Sequence, residues 1–254
     1  INAGENSGGA IISTFTIFLD YCHIFETTAK IGGAISAYSS LQIRNTKIQR
    51  STAFIFGLFE ISSNSENIEF NHSLFDSIET IQGSSFRRHD GLTTCITNTN
   101  LTRFISKSSV AIGEIGRTKS PLFVFNFVGD CYSSATNGAL SYWQCDHFLC
   151  SNSLFSNITT KNSYMIVQNG IIFWLDGSLQ TGEISNCSFL QCFSLDNRAG
   201  TLFYAADSSQ IIVSNCVFDV DREKVFNLAD RIFDIQQSNR FLSKHFDFDG
   251  KLAK

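Results

Sequence analysis

Proline is almost absent: the chain of 254 residues carries one, Pro121. Proline-stiffened linkers are thereby excluded, and strands lose one of their main interruptions. Charge is also sparse, at 17% of residues, with a net charge of −4 and no Lys/Arg run longer than Arg87-Arg88. A nucleic-acid partner held through a basic footprint is excluded on that ground. No apolar run approaches the ~18 residues needed to cross a bilayer as a helix. Cys145-x4-Cys150 and Cys187-x4-Cys192 lack the spacing and the paired histidines of a zinc site, so no metal and no cofactor is expected.

What is abundant is apolar and aromatic. Hydrophobic residues make up 43% of the chain and 25 of them are Phe, a mixture suited to packed strands and typical of a folded protein rather than a disordered one. The chain begins at Ile1, inside the approach to a repeat, and reads as a mature or partial chain.

The organising signal is periodic. Gly9-Ala10-Ile11, Gly33-Ala34-Ile35, Gly57-Leu58-Phe59, Gly138-Ala139-Leu140, Gly170-Ile171-Ile172 and Gly200-Thr201-Leu202 share one pattern, with Gly83 and Gly113 filling the gap less closely. Successive steps run from 24 to 32 residues. A unit of that size cannot bury its own apolar face and must stack on copies of itself. A second landmark follows each glycine: Asn45-Thr46-Lys47-Ile48, Asn71-His72-Ser73-Leu74, Asn152-Ser153-Leu154-Phe155, Asn186-Cys187-Ser188-Phe189 and Asn215-Cys216-Val217-Phe218. Each closes a short alternating run such as Leu41-Gln42-Ile43-Arg44, which is a strand signal.

These observations predict an all-β protein. Its fold is a right-handed, single-stranded parallel β-helix of about eight coils over 1–220, with 221–254 as a C-terminal cap or helical tail. Asp221 is the N-cap of that helix, and the alternative is a last coil through Val225-Phe226 and Ile232-Phe233. Gly9, Gly33, Gly138, Gly170 and Gly200 become corner residues, needing positive φ or close backbone approach. Asn45, Asn71, Asn152, Asn186 and Asn215 form a ladder. Alternation sends the second landmark residue inward, His72 among them, and the fourth into the lumen. The middle, 83–137, reads as degraded, with Asn98, Asn100 or Asn126 as its landmark and extra loop residues there and within 156–169.

Side chains with the chemistry to carry function are few. Arg87-Arg88-His89-Asp90 is the densest charge cluster and is expected in a projecting loop, where Arg87, Arg88 and His89 are candidate partner-binding residues. Stacking aligns Tyr142, Trp174 and Tyr204 in one column and Phe173 with Phe203 in the next. If the outward column is exposed, it forms an aromatic platform for a glycan or protein partner; core packing is the competing reading. Eight cysteines are compatible with disulfides. Cys187 and Cys216, one coil apart, would however place Cβ atoms ~4.8 Å apart, beyond the usual disulfide range, which favours buried thiols. Sequons at Asn71, Asn100, Asn157 and Asn186 are no more frequent than chance in so Asn- and Ser/Thr-rich a chain.

Gly8-Gly9-Ala10-Ile11 and Gly32-Gly33-Ala34-Ile35, with Asn137-Gly138-Ala139-Leu140 in part, resemble the Gly-Gly-Ala-[Ile/Leu/Val] motif of the polymorphic membrane protein (Pmp-like) repeat family. These are surface β-helices of chlamydial autotransporters and parasitic protists. The partner motif, Phe-x-x-Asn, keeps its shape without its Asn in Ile24-x-x-Thr27, Ile48-x-x-Ser51 and Phe189-x-x-Cys192. The resemblance implies an extracellular or cell-surface, adhesin-like, non-enzymatic role, with a protein or glycan partner and a place in a larger assembly or longer polypeptide. Two other classes stand beside it. A structural spacer is one. The other is a carbohydrate-active β-helix enzyme, a polysaccharide lyase or glycoside hydrolase, which needs carboxylates converging on one wall. Asp76, Asp130, Asp146, Asp176 and Asp196 are scattered in phase, so no catalytic residue is assigned.

Overall fold

The computed structural model describes residues 8–61, 67–88, 93–116, 118–134, 139–143, 145–161, 170–176, 181–195, 201–205, 210–220, 225 and 233–242. The first coil is built from β1 (Ile11–Ser13), β2 (Ile17–Asp20) and β3 (His23–Ile31), and the second from β4 (Ile35–Ala37), β5 (Leu41–Arg44) and β6 (Lys47–Ile55). Each strand pairs in parallel with its counterpart one coil later, as Ile11 with Ile35, Leu19 with Ile43 and Ile24 with Ile48. Repetition of this step produces three parallel sheets of eight, nine and nine strands among the described residues, which also contain no helix. The protein is a parallel β-helix.

The lumen is filled by columns of identical or similar side chains. One runs Ile24, Ile48, Phe75, Leu101, Val128, Phe155, Phe189, Phe218 and Phe241. In its later part the rings stack face to face, Phe155 on Phe189 at 4.9 Å and Phe189 on Phe218 at 5.2 Å. Parallel in-register pairing at ~4.8 Å per rung brings equal rings to stacking distance, and this is the reason for the Phe content.

The walls turn at residues in the left-handed region. One corner, between the second and third sheets, is made by Tyr21, Asn45, His72, Asn98, Phe125, Asn152, Asn186 and Asn215, with φ between 47° and 55°. Another folds the third sheet in the middle of its long strands at Glu26, Arg50, Ser77, Arg103, Asp130, Asn157 and Gln191. Asn tolerates this conformation better than other non-glycine residues, which explains the Asn landmark. The residue that follows is polar or thiol-bearing, and it knits the rungs together. Thr46 Oγ1 accepts from the Cys22 amide at 3.2 Å and donates to the Arg44 carbonyl at 2.7 Å, and Ser73 does the same one rung on.

Several expectations need correction. Arg44 pairs with Asn71 and Lys47 with Leu74, so His72 and not Asn71 occupies the Asn45 position. His72 is exposed rather than inward, and Phe75 rather than Leu74 faces the lumen beside Ile48. The cause is coil length. Ile35 and Phe59 are 24 residues apart, but Leu41 and Ile68 are 27, so the frame slips between those strands. The middle is regular: Phe59, Phe86, Gly113 and Leu140 stand in one column at equal 27-residue steps.

Gly9 and Gly33 do sit at tight approaches, but with ordinary φ. A Cβ on Gly33 would lie 2.2 Å from the Gly57 carbonyl oxygen, and one on Gly9 2.0 Å from that of Gly33. Positive φ falls one residue earlier, at Gly8 and Gly32. Gly170 is not a corner. It opens the strand Gly170–Asp176, where two residues separate it from Phe173 against one between the paired Thr201 and Phe203, so the strand bulges. Gly138 and Gly200 lie outside the described residues. In the tail, Phe233–Ile235 and Arg240–Phe241 extend the second and third sheets by another rung, and Val225 is buried. The expected helix start at 221–224 and the stretch 226–232 lie outside the described residues.

Candidate binding surfaces

The residues proposed from sequence as partner-binding are not gathered on one surface. Phe173 and Phe203 are fully buried and stack at 5.5 Å in the lumen, because their column continues Leu140, which faces inward. They are core residues. Trp174 pairs with Ser141 and Tyr204, while Tyr142 pairs with Leu175, so the three aromatics do not form a single column. Arg87 lies in the strand Phe86–Arg88 rather than in a projecting loop. Its Nε is 3.6 Å from Glu114 Oε2 on the next rung, and its guanidinium stands 5.8 Å from the Phe56 ring, which makes it a tie between coils. Arg88 belongs to the same strand; His89 lies outside the described residues.

Asp76 is the ionisable group with most partners on the described wall. It is buried, accepts from Arg103 Nε at 2.7 Å, Thr102 Oγ1 at 2.8 Å and Gln49 Nε2 at 3.3 Å, and also takes Arg103 Nη2. Arg103 holds its carboxyl well below the usual range, at about 2. A carboxylate so firmly ionised cannot exchange protons near neutral pH, which unsuits Asp76 for general acid–base work. Asp130, one rung from Arg103, accepts from Asn157 Nδ2 at 2.7 Å. Glu26 pairs with Arg50 at 2.9 Å and Glu79 with Lys107 at 2.6 Å, so these carboxylates also serve rung-to-rung ties.

All eight cysteines are free thiols, and six are buried. Cys150 and Cys187 place their sulfurs 3.8 Å apart at a corner. The contact with Cys150 pushes the Cys187 thiol up, and burial raises Cys131 to about 12 and pushes Cys192 up as well. Such thiols are neutral and unreactive as nucleophiles. No group of three or more His, Cys, Asp or Glu among the described residues is arranged to hold a metal ion. No helix among them is long and apolar enough to cross a membrane.

Two surfaces stand out. The first is the outer face of the third sheet beyond its bend. Phe54 and Ile81 share one register column with Leu195, and Ile105 shares the adjacent column with Phe193. All five are between 39% and 53% exposed, and Lys107 and Lys161 lie in the Phe54 column. The second is a shallow groove of about 470 Å³ at the corner between the second and third sheets, lined by Asn100, Phe125, Asn126, Phe127, Asn152, Ser153, Leu154, Asn186 and Ser188. Neither was singled out from sequence. The groove lies partly in the stretch read as degraded, and the signal available was Phe125-Asn126-Phe127, where an aromatic residue replaces the corner Asn.

Compared with family models, with curated proteins and with solved structures, the chain matches none.

Proposed function

We propose that this β-helix is a non-enzymatic surface or structural protein, adhesin-like, that binds a partner through its elongated wall. The observation that supports the reading is apolar exposure on the outer face of the third sheet, with Phe54, Ile81 and Ile105 together on successive rungs and Phe193 with Leu195 three rungs beyond Ile105. Apolar side chains aligned along a rigid wall, with lysines beside them, suit a contact with another macromolecule better than solvent exposure. A location at the cell surface follows from the resemblance to the Pmp-like repeats. The carbohydrate-active alternative gains no support from Asp76, whose hydrogen bonds are spent on the wall itself.

The test is adhesion of intact cells to beads coated with the chain, compared with beads coated with a Phe54→Ser/Ile81→Ser/Ile105→Ser variant of the same fold. Retention by the parent and loss with the variant supports the wall reading. Equal retention by both, or by neither, overturns it. Release of unsaturated or reducing saccharide ends from a polysaccharide incubated with the chain would overturn the non-enzymatic part.

A further inference from the structure

The corner groove carries a separate inference, independent of the wall. Phe125 sits in the left-handed region at φ 55° and is 59% exposed. Five of the eight residues in its column are Asn, which adopts this conformation at less cost. A bulky ring held there costs backbone energy and exposes apolar surface at once, as Tyr21 also does in the first coil, and at Phe125 the ring stands in the wall of a groove.

The surroundings complete it. Phe127, two residues on, is half-buried, and a Cβ on Gly129 would come within 2.7 Å of its ring tip. The missing Cβ of Gly129 is therefore what lets the Phe127 ring lie flat along the strand. Register puts Asn100, Phe127, Leu154 and Ser188 in one column, so the groove spans four rungs, about 15 Å along the axis. The side chains of Asn100, Asn186 and Ser188 have no hydrogen-bond partner among the described residues, and Asn152 uses only its Nδ2, on Ser151 at 3.3 Å.

The lining identifies the chemistry of the occupant. None of the nine lining residues is ionisable, so the groove has no cation to pair with a phosphate, sulfate or carboxylate and suits a neutral occupant better. Its backbone amides are already engaged between rungs: Phe125 on Ser151, Phe127 on Thr99, Asn152 on Ser185, Leu154 on Asn126, Asn186 on Ser214 and Ser188 on Ser153. A peptide strand, which binds through main-chain hydrogen bonds, finds none to pair with. What remains are ring faces and free amide and hydroxyl groups, which match the apolar faces and hydroxyls of sugar rings.

We propose that this groove binds a neutral oligosaccharide lying along the helix axis. Phe125 and Phe127 stack on sugar faces, and Asn100, Asn152, Asn186 and Ser188 hydrogen-bond its hydroxyls. Gly129 is a positioning residue that sets the Phe127 ring.

The test uses the whole chain and short neutral gluco-, manno-, galacto- and xylo-oligosaccharides, with saturation-transfer NMR and titration calorimetry as readouts. An acidic oligosaccharide and an extended peptide are the comparison probes. Phe125→Asn restores the residue type of the neighbouring corners, and Gly129→Ala displaces the Phe127 ring; both variants are checked for parental circular dichroism and melting. At least one neutral oligosaccharide is expected to bind, and each variant to weaken it by about tenfold or more. Binding unaffected by both variants, binding of the acidic or peptide probe only, or no binding of any neutral oligosaccharide overturns the proposal. Should the Phe125→Asn chain still hold cells as the parent does, the wall reading stands whatever becomes of the groove.

Discussion

Arg103 reaches across one coil boundary and closes on the Asp76 carboxylate with both Nε and Nη2, although Arg103 itself is largely exposed and Asp76 is not. The pair, with Thr102 and Gln49, ties three successive rungs at the bend of the third sheet.

An acid-dependent stability follows from this pair. Asp76 is depressed from 3.8 to about 2 in the folded chain, so it contributes stability above its unfolded pKa, and that contribution is lost as pH falls through about 2. Asp76→Asn is expected to cost about 1–2 kcal/mol at pH 7, discounted for the exposed guanidinium, and almost nothing near pH 2. Asp219, raised by burial, acts in the opposite sense, and the difference between variant and parent isolates Asp76. Thermal melts at the two pH values measure it; an equal deficit at both would refute the linkage.

The Phe ladder predicts a graded response to truncation. Phe189 is stacked between Phe155 and Phe218 and also touches Phe203 edge-on at 4.9 Å. Phe189→Ala should destabilise by about 3–5 kcal/mol, and Phe189→Leu by much less, in urea unfolding at constant slope.

At the corners, conformation and space make different demands. Asn152→Gly should be close to neutral, whereas Asn152→Ala should cost about 1 kcal/mol, because φ there is 50°. Gly33→Ala should be worse than either, since its Cβ meets the Gly57 carbonyl oxygen with no side chain free to move aside. Melting temperatures of the three variants rank them.

Thiol accessibility separates the cysteines. In the native chain only Cys22 and Cys95 are partly accessible, and Cys95 is the slower of the two because burial, followed by Glu69, raises its pKa. Alkylation followed by mass spectrometry should modify at most those two under native conditions and all eight after unfolding. Native labelling of Cys150 or Cys187 would contradict the packing.

At the groove, register and not residue type assigns the roles. Phe125-Asn126-Phe127 is conspicuous only once its coil is aligned, because Asn126 looks like the landmark while Phe125 holds the corner. Asn126 instead takes the position of Thr46, accepting from the Thr99 amide at 2.9 Å and donating to the Ile96 carbonyl at 2.8 Å. A side chain buried in a ladder and one exposed at a strained turn differ by a single step along the chain, and composition does not distinguish them.

The alternation of apolar and polar residues and the recurrence of Gly and Asn were enough to specify stacked parallel coils. Those features are local consequences of a two-residue strand period and of backbone turns that few residues tolerate. Register was not local. The 27-residue spacing that replaces 24 shifted the landmark from Asn71 to His72, and inter-coil hydrogen bonds chose the residue that turns left-handed. Stacking also decided that Phe173 and Phe203 are core while Phe125 is exposed, and it brought Asn100, Asn152 and Asn186 to one groove. Residues far apart in sequence meet only where coil lengths add up to the same phase, and that sum is a property of the folded chain.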